Sequence, residues 1–181
     1  MLIWHPATGA VWSWPMSANA VATATPSRSR SILSLMVWLA ICFAAAVFGG
    51  SFLPGPWYAQ LHKPSWNPPN WIFGPVWTAL YTIMAVAAWL VWKRGGFRAM
   101  RRPLGLFFLQ LFFNALWSPL FFGLHHPGWA FVNIVLLWLA LLATVIAFWK
   151  IRPLAGALLV PYLAWVTFAS ALNLALWRLN P

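Results

Sequence analysis

GWAFVNIVLLWLALLATVIAFW, residues 128–149, runs without a charged side chain from Pro127 to Lys150. As a helix rising about 1.5 Å per residue it is about 33 Å long, the thickness of a bilayer's hydrocarbon core. Four more charge-free runs of similar length accompany it, near residues 32–53, 71–92, 103–124 and 153–177. The pattern predicts an all-α membrane protein, a bundle of five transmembrane helices with a long structured first loop. Pro103 and Pro153 fall at helix starts, where a missing N–H costs nothing. Pro119 and Pro161 fall inside the third and fifth helices and are expected to bend them.

Composition agrees with the runs. Of 181 residues, 63% are hydrophobic, 18% aromatic and only 6% charged. Soluble domains carry about 25% charged residues, so this chain cannot clothe a water-facing surface, and its mean hydropathy of +0.78 says the same. Residues 1–30 lack a sustained period, and Arg28 and Arg30 come just before the first long run. They are expected to be a flexible tail ahead of a five-helix domain at 31–181, rather than a cleaved signal.

All eleven charges are Lys or Arg; the chain has no Asp or Glu. Nucleic-acid binding is not expected, because these cations sit between the hydrophobic runs. Arg28, Arg30, Lys93, Arg94, Arg98, Arg101, Arg102, Lys150 and Arg152 fall at one end, and only Lys63 and Arg178 at the other. The positive-inside rule then predicts a cytoplasmic N-terminus, with the first loop and the C-terminus on the opposite side. The missing acids exclude paired-carboxylate hydrolysis, carboxylate metal sites and a Ser-His-Asp triad within the chain. No predicted span contains a His either, which disfavours a proton-coupled transporter. Cys42 is alone and forms no intrachain disulfide.

The first loop carries Pro54, Pro56, Pro64, Pro68 and Pro69 among Trp57, Tyr58, Trp66 and Trp71. Proline lowers the entropy lost on ordering, and the aromatics offer broad apolar faces with a polar tip. The segment is expected to fold over the bundle as a lid, Tyr58 and Trp66 facing a ligand; the alternative is an interfacial aromatic belt.

Polar side chains recur inside the spans. Gln110, Asn114 and Ser118 are spaced i, i+4, i+8 on one face of the third helix, and Thr167, Ser170 and Asn173 form a looser stripe on the fifth. Trp77 and Tyr81 share a face of the second helix, and Trp165 and Ala169 share one on the fifth. Such groups either bond helix to helix or anchor a ligand between aromatic walls. His5, His62, His125 and His126 all fall in the tail or loops. His125 and His126 are expected to point apart in an extended segment, so no metal site is expected.

Four motifs carry a resemblance: WYAQLHKPSWNPPNWIFGPVWTALY (57–81), QLFFNALWSPLFFG (110–123), PGWAFV (127–132) and PYLAWVTFASALNLALWRLN (161–180). In this order, spanning about residues 31–180, they resemble the translocator protein family. Its bacterial members are called tryptophan-rich sensory proteins, and its animal member the peripheral-type benzodiazepine receptor. The resemblance implies five helices, a first loop closing one end of a ligand pocket, and a homodimer. It implies ligands such as porphyrins or haem, isoquinoline carboxamides and, in animals, cholesterol, with no obligatory cofactor. By motif, Trp77, Asn114, Trp165 and Ala169 match pocket-lining positions, and Ser118 and Trp129 are carried over as further ones. Trp77 and Trp165 also match tryptophans linked to porphyrin breakdown in some bacterial members. The animal sterol motif has a tyrosine before Trp-Arg near the last helix end; here Leu174, Ala175 and Leu176 stand before it.

The first functional expectation is a membrane protein that binds tetrapyrroles and related flat apolar ligands for sensing, regulation or transport. The alternative is an enzyme degrading porphyrin with light and oxygen, with Trp77 and Trp165 as redox partners. A scaffold whose polar stripes only join helices is a third reading.

Overall fold

The computed structural model describes residues 28–181. Residues 1–27, most of the expected tail, lie outside the described residues. Among the described residues seven α-helices follow in order: α1 (Arg28–Gly50), α2 (Pro56–Gln60), α3 (Phe73–Trp92), α4 (Gly96–Ala99), α5 (Arg101–Ser118), α6 (Pro127–Ile151) and α7 (Pro153–Leu179). Five of these segments, of 22 to 27 residues with their flanking turns, are long and apolar enough to cross a membrane. In hydrocarbon every backbone N–H and C=O must be paired within the segment, so a charge-free run of this length folds as a helix. The chain is an integral, multi-pass membrane protein.

The expected spans are all present, with shifted ends. The first was expected to reach Leu53, but α1 ends at Gly49–Gly50, where two poor helix formers precede Pro54. The second begins with a 3₁₀ turn over Asn70–Ile72. The bend expected at Pro119 takes the form of a π turn. Pro119 has no N–H to donate to the preceding turn, and the helix widens over Pro119–Gly123, closing with Leu124 N–H on the Pro119 carbonyl at 2.8 Å. By contrast α7 runs unbroken through Pro161.

The five spans close into a ring in the order α1, α3, α7, α6, α5 and back to α1. Trp89 on α3 donates to the Ser31 carbonyl at 3.2 Å and to Ser34 Oγ at 3.0 Å, so the end of α3 lies beside the start of α1. At that end the bundle is solid. Met84, Ala85, Ala88 and Val91 of α3, Leu104 and Phe107 of α5, Leu141 and Phe148 of α6, and Ala155 and Leu159 of α7 are buried together. Phe107 and Phe148 stack at 6.0 Å. Small residues permit the close approach: a methyl group on Gly156 would lie 2.8 Å from the Trp149 backbone and ring. At the other end the same helices stand apart.

Candidate functional site

Between α1, α3, α5 and α7, beneath the first loop, lies a cavity of about 480 Å³. That falls within the range of about 300–1,000 Å³ typical of small-molecule sites. Its walls are apolar and aromatic, including Phe43, Trp77, Trp117, Phe121 and Trp165. Of the residues read from the sequence as ligand-facing, Trp77, Asn114, Ser118, Trp165, Ala169 and Tyr58 all line it.

The floor is a three-helix polar junction. Asn114 on α5 accepts a hydrogen bond from Tyr81 Oη of α3 and donates to Tyr162 Oη of α7 at 2.6 Å. All three side chains are buried, so the junction ties α3, α5 and α7 together where the solid half begins. Asn114 therefore bonds helix to helix and walls the cavity at once. Trp77 stands over this junction, 5.6 Å from the Tyr81 ring and 6.3 Å from Tyr162. Across α7, Trp165 packs edge-on against Phe73 at 5.9 Å. Its indole N–H is buried with no acceptor among the described residues, whereas Trp117 Nε1 is taken up by Asn173 Oδ1 at 2.9 Å.

The roof is the proline-rich loop. Leu53, Pro54, Tyr58 and Asn70 line the cavity. Tyr58 is buried against Phe122 at 5.4 Å and Phe121 at 6.3 Å. Burial pushes its phenol pKa above the ordinary tyrosine value, partly offset by its bond to Asn67. Trp57 stacks on His125 at 4.4 Å, and Asn180 at the end of α7 accepts from the His62 N–H at 2.9 Å and donates to its carbonyl at 3.0 Å. The loop is thus fastened at two points, to the α5–α6 turn and to the end of α7.

Three expectations are corrected. Trp66 is 48% exposed, resting on Phe168 at the outer side of the loop, and does not line the cavity. Trp129 is 67% exposed and lines a separate outer groove of about 670 Å³ with Trp57 and Trp177. His125 takes a left-handed backbone, φ 56°, so the segment is not extended and His125, His126 and His62 all border that groove. Even so, no group of three metal-ligating side chains suited to an ion occurs among the described residues. Of the looser stripe on α7, only Asn173 reaches the cavity. Thr167 is exposed and accepts from Trp138 Nε1 at 2.8 Å, and Ser170 donates to its own helix at Val166.

Sequence reading missed Tyr162 and Trp117. Tyr162 was legible in principle: with Val166 and Ala169 it repeats at the i, i+4, i+7 spacing of one helix face. Trp117 was legible in the same way: it lies at i+3 from Asn114 in regular α5, on the face that carries the polar stripe.

The comparisons with known proteins point to one family. The chain is 44% identical over 156 residues to Protein CrtK of Rhodobacter capsulatus, covering 83% of this chain and 95% of that one. It is 47% identical over 137 residues to the human Translocator protein, covering 73% and 81%. It is 41% identical over 145 residues to the Tryptophan-rich sensory protein of Cereibacter sphaeroides, covering 80% and 90%. The TspO/MBR family model matches residues 38–178, from the middle of α1 to the last turn of α7, and so includes the first loop and every cavity residue named above. With that much of the chain matched in order, the protein belongs to the TspO/MBR family.

Proposed function

We propose that this membrane protein binds tetrapyrroles of the porphyrin or haem type, and related flat apolar molecules, in the cavity under the first loop, for sensing, regulation or transport. The observation that carries the reading is the pairing of aromatic walls with one unsatisfied donor. Trp77 and Trp165 line the same space, and the Trp165 indole N–H is buried without an acceptor. A buried donor left unpaired costs about 1–3 kcal/mol, and a turn of the Trp165 ring towards the cavity would let an acceptor on the ligand recover it. A macrocycle has apolar faces to stack on indoles and nitrogen or carboxylate acceptors at its centre and edge. No acid in the chain repels its propionates.

The test is a titration of the purified protein with protoporphyrin IX, followed by tryptophan fluorescence. Saturable quenching is expected, with affinity falling about five- to tenfold in Trp165→Phe, which keeps a ring and removes the donor. Linear quenching, indifferent to that substitution, would reject the site.

Orientation and assembly belong to the same proposal. The cation bias supports a cytoplasmic N-terminus with the loop on the opposite side, to be checked by labelling a cysteine placed at Ser65 or at Ala99, both exposed, in a Cys42→Ala background. A homodimer is supported by the family resemblance, and cross-linking in nanodiscs tests it.

A further inference from the structure

We infer that the solid end of the bundle carries a binding site for an anionic phospholipid, built by the segment between α3 and α5. Residues 93–102 hold five cations, Lys93, Arg94, Arg98, Arg101 and Arg102, all exposed. The chain has no Asp or Glu anywhere, so no carboxylate side chain of its own neutralises them. The counter-charge comes from outside.

The geometry makes that outside partner a lipid. Below the cations lies an apolar shelf of three rings. Trp38 of α1 is buried, and Phe97 and Phe108 pack on it at 5.6 and 5.7 Å, their own rings 6.4 Å apart. Phe97 and Phe108 remain 52% and 38% exposed. The turn that sets Phe97 there depends on Gly96, whose φ of 66° is a left-handed conformation costly for other residues. The chain leaves α3, turns at Gly95–Gly96, and returns the Phe97 ring onto Trp38 and Phe108, next in sequence to Arg98. Lys93 is held over the Trp89 ring at 4.4 Å, so its charge stays at the level of the indole. A phosphate among the guanidiniums with an acyl chain along Phe97 and Phe108 satisfies both halves; a free phosphate or a nucleic acid leaves the shelf bare. Guanidiniums bind phosphate through paired N–H donors, and each cation near an anionic leaflet favours binding several-fold.

The experiment uses the full chain in neutral detergent, titrated with dioleoyl phosphatidylglycerol, with dioleoyl phosphatidylcholine, or with inorganic phosphate, and bound lipid counted by native mass spectrometry. Phosphatidylglycerol is expected to be retained and phosphatidylcholine lost. Arg98→Gln/Arg101→Gln/Arg102→Gln should weaken retention on the order of a hundredfold, and the matching triple Lys variant should recover much of it. Phe97→Ser should weaken it about fivefold with all charges kept, while Arg178→Gln at the opposite end changes nothing. Equal retention of the two lipids would overturn the inference, as would full retention by the triple Gln variant. Displacement by inorganic phosphate or an oligonucleotide at equal charge would assign the cations to phosphate alone and reject the lipid.

Discussion

The two halves of this bundle are made by the same five helices and do opposite things with them. Towards the Lys93–Arg102 segment, alanines and glycine let α3, α5, α6 and α7 meet, and Phe107, Phe148 and Met84 fill what remains. Towards the proline-rich loop, Trp77, Trp117 and Trp165 hold the helices apart around empty space. The border is the Tyr81–Asn114–Tyr162 junction. Without a hydrophobic force between helices in lipid, contact depends on packing and hydrogen bonds. A hollow half therefore survives only when a solid half and a polar junction hold the frame. The stability of this protein resides at one end and its capacity for a ligand at the other.

Substitutions in the solid half should be costly and leave the ligand site alone. Phe107→Ala opens a void among fully buried side chains and is expected to cost about 3 kcal/mol or more. Gly156→Ala forces a methyl group to within 2.8 Å of Trp149 and should cost about 1–3 kcal/mol. Thermal unfolding in detergent reads both, and porphyrin affinity of the folded fraction should hold within twofold. An affinity loss in step with stability would erase the division between the halves.

At the border, Asn114→Ala strands two buried tyrosine hydroxyls. It should lower stability by about 1–2 kcal/mol, at the upper end of interhelical bonds in membranes, and weaken ligand binding as well. In the hollow half, Ala169→Phe fills the cavity and is expected to reduce porphyrin affinity about tenfold or more with little change in melting temperature. Last and smallest, Trp66→Ala and Trp129→Ala should leave affinity within twofold, since neither ring reaches the cavity. A large effect of either would move the site outward.

Much of this division was legible in the residues. The spans followed from charge-free runs whose backbone has no alternative to a helix in lipid, and the lid followed from the density of prolines and aromatics between Pro54 and Trp71. The stripe Gln110, Asn114, Ser118 pointed inward as its i, i+4 spacing required, although Gln110 ends up in the solid half beside Met84, its Nε2 3.9 Å from the sulfur. Periodicity failed where local geometry departs from a regular helix. The left-handed backbone at His125 breaks the expected extended segment, and His125 and His126 border one groove. Motif carry-over failed at Trp129. A short motif next to a turn fixes a position in the chain without fixing which of two neighbouring concavities the ring borders.

The central claim is that ligand occupies the hollow half between Trp77 and Trp165. The most direct test is NMR of indole 15N-labelled protein, its cross-peaks assigned by single Trp→Phe substitutions, titrated with protoporphyrin IX. The Trp165 and Trp77 signals should move saturably and together, while Trp92 and Trp149 at the solid end stay fixed. Movement confined to Trp129 and Trp177 at the outer groove, or spread evenly over lipid-facing indoles, would contradict the account.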